Sequence, residues 1–281
     1  MTMKVRIRRV AGEIVETTDD LLAVEEPLEI RVAFRGEDGV PVSRGVSVTM
    51  RTPGDDEGLA AGFLATEGIL SAPDELAELS ASVAEDVSGL GLVPNVVRAV
   101  LSEGVKPDLE RLSRYVFTSS SCGVCGKATL EALANRGLAR LSPGSLCVSP
   151  EVLRALPASL LERQKTFSAT GGLHAAALAD ADGNLVDHAE DVGRHNAMDK
   201  LLGRRFLAED WPLADHFVLV SGRASFELVQ KALVAGVPML AAVGAPSSLA
   251  VELADNFGMT LVGFLSAQRF NVYCRAERVG E

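Results

Sequence analysis

The second half of this sequence contains three short apolar segments, at residues 217–220, 239–243 and 261–264. Each has the length of a strand, and each is apolar throughout, which is typical of a strand buried on both faces of a sheet. The segments that separate them, at 225–235 and 247–257, have helical periodicity. Strands that alternate with helices predict an α/β fold in which helices cover a parallel sheet.

The region before these strands continues the same pattern. Its predicted elements are a helix at 150–164, a strand at 174–178, an Asp-Gly turn at 180–183, a strand at 185–188 and a helix at 195–202. The complete order, α-β-β-α-β-α-β-α-β, matches the cytidine-deaminase-like fold. We therefore predict a cytidine-deaminase-like three-layer α/β/α sandwich over residues 148–281.

This predicted domain lacks the zinc ligands of a deaminase. Zinc deaminases carry H-x-E at the helix after the hairpin and P-C-x-x-C at the next helix. Here the first place has Gly-Arg-His-Asn at 193–196, and the second has Ser-Gly-Arg-Ala-Ser at 221–225. His188 and Glu190 spell H-x-E, but they lie at a strand end. We expect no permanently bound metal.

The first half of the chain predicts a smaller α+β domain, over residues 1–117. Strand character occurs at 4–10, 28–34 and 45–51, and a helix is predicted to start after Thr52 and Pro53. Asp55, Asp56 and Glu57 fall in the first turn of that helix, where negative charge is favourable. We interpret these acids as helix caps, ahead of a metal or acid–base site.

Residues 118–147 hold a cysteine loop and the helix predicted to follow it. Cys122 and Cys125 form a C-x-x-C motif, which can be half of a zinc site, a dithiol couple, a persulfide carrier or a structural pair. Cys147 and Cys274 stand alone and no histidines are closely spaced, so a closed zinc site is not expected.

The surroundings of this motif favour a reactive thiol. The serines at 119–121 form a poor strand, which weakens a thioredoxin-like interpretation, whereas the flanking glycines argue against tight burial. Lys127 and a helix N-terminus both stabilise a thiolate. The carrier and the dithiol couple both remain open on these residues.

Four loops of the predicted sandwich have a composition that suits anions. They combine glycines, hydroxyls, arginines and histidines at the starts or ends of strands, and in this topology they fall at the same edge of the sheet. The candidate residues are Gly171, Gly172, His174, Gly193, Arg194, His195, Ser221, Gly222, Arg223 and Ser247. Together they predict a phosphorylated ligand.

Composition excludes several other classes. The net charge of −11 argues against nucleic-acid binding. Apolar residues are 47% of the chain, yet no run approaches the ~18 that a membrane span requires. The basic N-terminus lacks the apolar stretch of a secretory signal, and four cysteines in 281 residues are not a disulfide framework. We expect a cytoplasmic protein that does not act at membranes.

The motifs together resemble the FdhD/NarQ family of formate dehydrogenase accessory proteins. The segments that carry this resemblance are SSCGVCGK at 120–127, TGGLHAA at 170–176, EDVGRHNA at 190–197 with Asp199 and Lys200, SGRASFELVQK at 221–231 and APSSLAVEL at 245–253. RTPGD at 51–55 and GFLATEGI at 62–69 resemble it too. The match spans most of the chain in family order.

The resemblance implies a sulfurtransferase that acts as a sulfur carrier. A cysteine desulfurase would load a persulfide onto Cys122, with Cys125 as partner, and the sulfur would pass to the molybdenum cofactor before its insertion into the formate dehydrogenase catalytic subunit. That cofactor is bis-molybdopterin guanine dinucleotide, which GDP or GMP could mimic. The family's cofactor-binding segment maps onto Phe264, Leu265, Ser266, Ala267, Gln268 and Arg269. A homodimer is compatible with this function.

Two other functions remain open at this stage. A thiol-disulfide oxidoreductase would require both cysteines and would cycle through a disulfide. A non-catalytic cofactor-binding chaperone would bind the nucleotide and would tolerate the loss of Cys122.

Overall fold

A computed structural model describes residues 1–36, 38–83, 95–108, 138–142 and 146–280. Within these residues it contains six α-helices and three sheets. The C-x-x-C motif and the helix predicted after it lie outside the described residues, as does the predicted boundary at 117/118.

The N-terminal part of the chain has a two-stranded ribbon and a four-stranded sheet. Its strands are β1 (Thr2–Ala11), β2 (Ile14–Ala23), β3 (Glu26–Arg35), β4 (Pro41–Arg51), β5 (Leu76–Val83) and β6 (Asn95–Leu101). β1 pairs with β2 alone, whereas the larger sheet has the order β4-β3-β6-β5, in which only β3 and β6 run parallel. Helix α1 (Asp56–Thr66) packs its buried face on the core of this sheet.

Three of these strands were not predicted. β2 contains three acidic residues, which interrupt its strand-favouring Ile, Val and Thr, and β5 consists mainly of Ala, Ser, Glu and Leu, which have low strand propensity. β6 contains three valines and pairs parallel with β3, a partner distant in the sequence. Pairing with a neighbouring strand stabilises all three segments, including β5, whose local composition does not favour a strand.

The C-terminal part forms a six-stranded mixed sheet. Its strands are β7 (His174–Ala179), β8 (Leu185–Asp191), β9 (Phe217–Val220), β10 (Met239–Ala242), β11 (Thr260–Gly263) and β12 (Asn271–Cys274). Their order is β12-β11-β10-β9-β7-β8, with β9, β10 and β11 mutually parallel, as their apolar composition predicted. β12 was not predicted; it is a half-exposed antiparallel strand at the sheet edge.

Helices lie on both faces of this sheet. They are α2 (Pro150–Arg163), α3 (Lys165–Thr170), α4 (Arg194–Leu207), α5 (Phe226–Val234) and α6 (Ser248–Phe257). Leu153, Leu156 and Leu160 of α2 join one core with Phe217 and Leu219 of β9. A second core on the opposite face combines α4, α5 and α6 with alternate residues of the same strands. The sheet is therefore the middle one of three layers.

A close crossing of α1 and α4 joins the two parts of the molecule. A Cβ atom placed on Gly62 of α1 would lie 1.9 Å from the Asp199 carbonyl oxygen, and one placed on Gly203 of α4 would lie 1.8 Å from the Gly58 carbonyl oxygen. No side chain fits at either point, so glycine allows the two backbones to touch. Phe206 of α4 completes the N-terminal core.

Candidate functional site

The ends of five strands of the C-terminal sheet meet at one edge. Strands β8, β9, β10 and β11 all end there, and β7 begins there, because it is antiparallel to both of its neighbours. In the register, His174 lies opposite Asp191 and Ala176 lies opposite Val220. The four predicted anion loops therefore share this edge. We call it the glycine-loop edge.

The loops that follow β9 and β10 are packed against each other. The Gly244 N–H donates to the Gly222 carbonyl at 2.9 Å, and a Cβ on Gly244 would lie 2.9 Å from that same oxygen. Ser221 Oγ accepts a hydrogen bond from the Ala175 N–H at 2.9 Å, which ties the first loop to β7. Arg223 and Ser247 are exposed beside this contact.

Gly222 and His174 bring two of the loops together. A Cβ on Gly222 would lie 3.3 Å from His174 Nδ1, so the imidazole stands directly over the loop backbone. Gly171 and Gly172 are exposed just before this histidine, and Gly171 ends α3 in the left-handed conformation, with φ of 68°. The structure thus gathers both predicted histidine loops and the loop of Ser221 at one edge.

The segment 264–269 follows β11 at the same edge. Phe264 is 44% exposed and has φ of 53°, a left-handed backbone conformation that is strained for an aromatic residue. The Phe264 N–H donates to the Gly244 carbonyl at 3.1 Å. The Ser266 N–H donates to the Arg269 carbonyl at 2.9 Å, which closes a tight turn. This turn presents the Phe264 ring to solvent.

The side chains of this segment do not all face the surface. Ala267, Gln268 and Arg269 are exposed, whereas Leu265 is 1% exposed and belongs to the core between the sheet and α2. Leu265 can therefore offer a ligand only its backbone.

Gly193, Arg194 and His195 form the start of α4. Burial lowers the pKa of His195 to about 4, with Arg194 and Lys231 adding to the effect, so its ring is neutral at neutral pH. His195 Nε2 lies 3.3 Å from Ser225 Oγ. Arg194 is half-buried, and its Nε has no hydrogen-bond partner among the described residues. Because this nitrogen is itself buried, only the half-buried remainder of the Arg194 guanidinium can meet an anionic group at this edge.

We expect the depressed pKa of His195 to make the protein sensitive to acid. An ordinary histidine, with a pKa of 6.5, takes up its proton in the unfolded chain before His195 does in the folded one. The stabilisation is therefore complete above pH ~6.5 and is lost as the pH falls toward ~4. The wild type should lose stability over that range as the pH falls, whereas His195→Asn should not. The difference between their free energies of unfolding, measured in urea, should therefore shrink from pH ~6.5 to pH ~4. A His195 ring that titrates near pH 6.5 by NMR would contradict this assignment.

A buried ion pair holds the loop 191–194 in place. Lys200 Nζ contacts Asp191 Oδ2 at 2.7 Å and also donates to the Thr52 carbonyl at 2.7 Å. Asp191 is 0% exposed and further accepts from the N–H groups of Thr52, at 3.1 Å, and Gly193, at 2.9 Å, and from Asn196 Nδ2 at 3.0 Å. The start of α4 is thus anchored to Thr52, just after β4. This network was not predicted from the sequence.

A second buried network lies one turn away, between α1, α4 and α5. Lys231 Nζ contacts Asp199 Oδ1 at 2.9 Å, Glu67 Oε1 at 3.1 Å and Thr66 Oγ1 at 2.9 Å. Burial raises the pKa of Asp199 to about 6, although Lys231 opposes this shift. The sequence does carry a sign of these buried networks. Asp199, Lys200 and Lys231 interrupt the apolar faces of α4 and α5 that pack inward.

A cavity of about 210 Å³ separates this network from the N-terminal sheet. Its walls include Thr49 from β4, Phe63 from α1, Glu67 just after α1, and His195, Asp199 and Lys231 from the C-terminal part. Both signs of charge and a neutral imidazole line it, so it suits a small polar group with several hydrogen-bonding atoms.

The acids after Pro53 do not cap α1 as predicted. Asp55 occupies the position before the helix, but its side chain makes no capping hydrogen bond and instead pairs with Arg204. Asp56 binds the buried Arg51 through two hydrogen bonds, of 2.8 and 2.9 Å. Asp56 and Glu57 do lie in the first turn of α1, as predicted. The capping hydrogen bond is absent because Arg204 binds the Asp55 carboxylate and Arg51 binds that of Asp56.

Metal and thiol chemistry is limited in the part of the chain that the structure describes. No cluster of three or more His, Cys, Asp or Glu side chains suitable for a metal occurs there. Burial raises the pKa of Cys274 to about 11, which makes it a poor nucleophile, and Cys147 is an exposed single thiol. Cys122 and Cys125 lie outside the described residues.

Within the part of the chain that the structure describes, no helix has the length and apolarity to cross a bilayer.

Comparisons with known proteins agree on one family. The sequence model of the FdhD/NarQ family matches residues 23–280. A sulfur carrier protein FdhD from Streptomyces coelicolor is 50% identical over 99% of this chain and 96% of its own length. A protein of the same name from Mycobacterium bovis is 48% identical over 98% of this chain and 97% of its own length.

The fold has a counterpart among solved structures. The crystal structure of a formate dehydrogenase accessory protein from Desulfotalea psychrophila superposes with a TM-score of 0.72, covers 99% of both chains and is 22% identical. This likeness shows that the whole arrangement of strands and helices described above is shared.

Proposed function

The chain belongs to the FdhD/NarQ family, and from that membership we propose that it is a sulfur carrier that serves a formate dehydrogenase. The observation that carries the proposal is the near-complete alignment with relatives named sulfur carrier protein FdhD, at 50% and 48% identity. We propose that Cys122 is the residue that carries the sulfur, since Cys147 is a single thiol and the pKa of the half-buried Cys274 is raised to about 11.

In this proposal the protein acts as a sulfurtransferase that receives sulfur from a cysteine desulfurase. The Cys122 thiolate attacks the outer sulfur of the desulfurase persulfide, a new S–S bond forms, and the desulfurase thiolate leaves with the electron pair of the broken bond. No external oxidant is needed, because the sulfane sulfur keeps its oxidation state. The nucleophile must be accessible, which agrees with a glycine-flanked motif.

Release of that sulfur as sulfide requires two electrons. The Cys125 thiol can supply them, because its attack on the inner sulfur of the Cys122 persulfide forms a Cys122–Cys125 disulfide and frees sulfide. An external thiol can replace Cys125 in this step. We therefore assign Cys125 as a partner of Cys122 and expect partial function without it.

We propose that the acceptor is bis-molybdopterin guanine dinucleotide, held at the glycine-loop edge. Arg194 and Arg223, the backbone N–H groups of the loops and the hydroxyl of Ser247 suit its phosphates, and the exposed Phe264 ring suits stacking against its guanine. These features support the proposal by their chemistry and their shared location. The strand order and three layers of the C-terminal part likewise support a cytidine-deaminase-like domain at residues 148–281 without zinc ligands.

Persulfide mapping tests the carrier proposal. After incubation with a cysteine desulfurase and cysteine, we expect the peptide that contains Cys122 to gain about 32 mass units, one sulfur atom. Cys122→Ala should abolish the gain, Cys125→Ala should retain it, and Cys147→Ala is the matched control. An oxidoreductase would instead accumulate a disulfide between Cys122 and Cys125 without added sulfur. Absence of the gain on wild-type Cys122 would reject the carrier function.

A further inference from the structure

A second cavity lies at the opposite edge of the C-terminal sheet. It has a volume of about 390 Å³ and is lined by Arg140, Leu141, Ser142, Gly258, Arg275, Glu277 and Arg278. Gly258 ends α6 just before β11 begins at Thr260, whereas the glycine-loop edge lies at the other end of that strand. We call this cavity the triple-arginine cavity. It is separate from the candidate cofactor site.

Arg278 brings a buried positive charge to this cavity. The residue is 3% exposed, and its guanidinium donates to the carbonyls of Gly258, at 2.9 Å, and Ser142, at 3.1 Å, and to Thr260 Oγ1 at 3.2 Å. No carboxylate forms a salt bridge with it among the described residues, and its Nε has no hydrogen-bond partner there. A buried guanidinium without a counter-ion is costly, so an anion in the cavity would stabilise it.

The local charge agrees with this expectation. Burial lowers the pKa of Arg278, which Glu277 opposes and Arg275 reinforces. Arg275 Nε lies 2.9 Å from Asp255 Oδ1, so that acid already has a partner. Arg140 is exposed and has no salt bridge among the described residues. Three guanidinium groups therefore face two carboxylates in a protein with a net charge of −11.

The backbone around the cavity is firmly held. The Leu141 N–H donates to the Phe257 carbonyl at 2.8 Å, and a Cβ on Gly258 would lie 2.9 Å from the Leu141 carbonyl oxygen. Arg275 Nη2 donates to the Asp255 carbonyl at 2.8 Å. The carboxyl end of α6 carries partial negative charge, which repels an anion. Because these contacts already provide donors to its terminal carbonyls, the repulsion is weaker than at a helix end without such donors.

We propose that the triple-arginine cavity is a binding site for a phosphate group, either free or part of a larger ligand. Guanidinium forks match phosphate oxygens in pairs, and the additional oxygens and higher charge of a phosphate suit three arginines better than a carboxylate does. Arg278 forms the fixed floor of the site, and Arg140 and Arg275 contribute from its rim. The proposal does not depend on the sulfur-carrier function.

Calorimetric titration with inorganic phosphate and pyrophosphate tests this site on the full-length protein. We expect Arg140→Gln to weaken phosphate binding by about tenfold, which corresponds to ~1.4 kcal/mol. Arg140 is exposed, so the unliganded variant should melt like the wild type. The matched control is Arg154→Gln, which changes a half-buried arginine of α2 paired with Glu151 at 2.8 Å and should leave binding unchanged. Equal affinities for the two variants, or no binding by the wild type at ~10 mM phosphate, would overturn the proposal.

A competition experiment with GDP distinguishes phosphate binding in the triple-arginine cavity from binding at the candidate cofactor site. Arg223→Gln removes one of the phosphate contacts proposed at the glycine-loop edge. In this background Arg140→Gln should still weaken phosphate binding by about tenfold, and an Arg140→Gln change without effect there would overturn the proposal. If a phosphate ester is the natural ligand, GDP should compete with inorganic phosphate in the Arg223→Gln protein. If the site takes free phosphate only, GDP should not compete, and the proposal stands in the narrower form.

Discussion

Lys200→Met should lower the free energy of unfolding by about 3–5 kcal/mol, because it leaves the fully buried Asp191 carboxylate without its counter-ion. The substitution also removes the donor to the Thr52 carbonyl at 2.7 Å. For a chain of this size we expect the melting temperature to fall by roughly 10 °C. Urea unfolding followed by circular dichroism measures the loss.

The matched control for this prediction is Lys165→Met, which removes an exposed lysine from α3 and should change stability by less than ~0.5 kcal/mol. In a double-mutant cycle, Asp191→Asn combined with Lys200→Met should cost less than the sum of the two single changes, since each removes the same interaction. Additive losses, or a Lys200→Met protein as stable as the control, would show that the pair contributes little.

Gly203→Ala should destabilise the protein by about 3 kcal/mol or more, although alanine is the better helix former by ~1 kcal/mol. The added methyl group would lie 1.8 Å from the Gly58 carbonyl oxygen and 2.5 Å from the Gly62 nitrogen. Both atoms are backbone, so α1 and α4 must move apart. Separation should expose the core residue Phe206 and the nearby buried networks to water.

Thermal unfolding of Gly203→Ala beside Gly280→Ala isolates this effect. A Cβ on Gly280 would meet nothing closer than the Cys147 sulfur at 3.7 Å, an ordinary contact, so the control should melt near the wild-type temperature. Gly62→Ala should repeat the loss from the other helix, because its Cβ would lie 1.9 Å from the Asp199 carbonyl oxygen. A neutral or stabilising Gly203→Ala would mean that the helices do not cross as closely as described.

The apolar pattern was sufficient to predict most of the C-terminal architecture. The strands at 217–220, 239–242 and 260–263 and the helices between them are confirmed, because a fully buried strand must be apolar throughout and a covering helix must be apolar along one face. Pattern was insufficient for β12 and β5, whose exposed or small side chains carry no such requirement. Both form strands because they pair with a neighbour, β12 with β11 and β5 with β6.

In the candidate site, too, some features could be predicted from the sequence and others required the folded structure. The loop motifs could be placed at one edge because the ends of parallel strands meet there, yet the buried position of Leu265 and the contact of His174 with Gly222 required the folded chain. One of the groups bound to Asp191 is the N–H of Thr52, which lies 139 residues away in the sequence. No local signal connects two such residues.

The alternation of strands and helices over residues 217–263, the absence of deaminase ligands at 193–196 and 221–225 and the family resemblance were all present in the sequence, because periodicity and motif spacing are local properties of a chain. The tertiary structure alone decided which charges are buried, which carboxylate meets which cation and where the two cavities with contrasting electrostatics open. Burial and pairing depend on the docking of α1 against α4 and of residues 138–142 against α6, and free energies of desolvation are defined only once that docking has removed water.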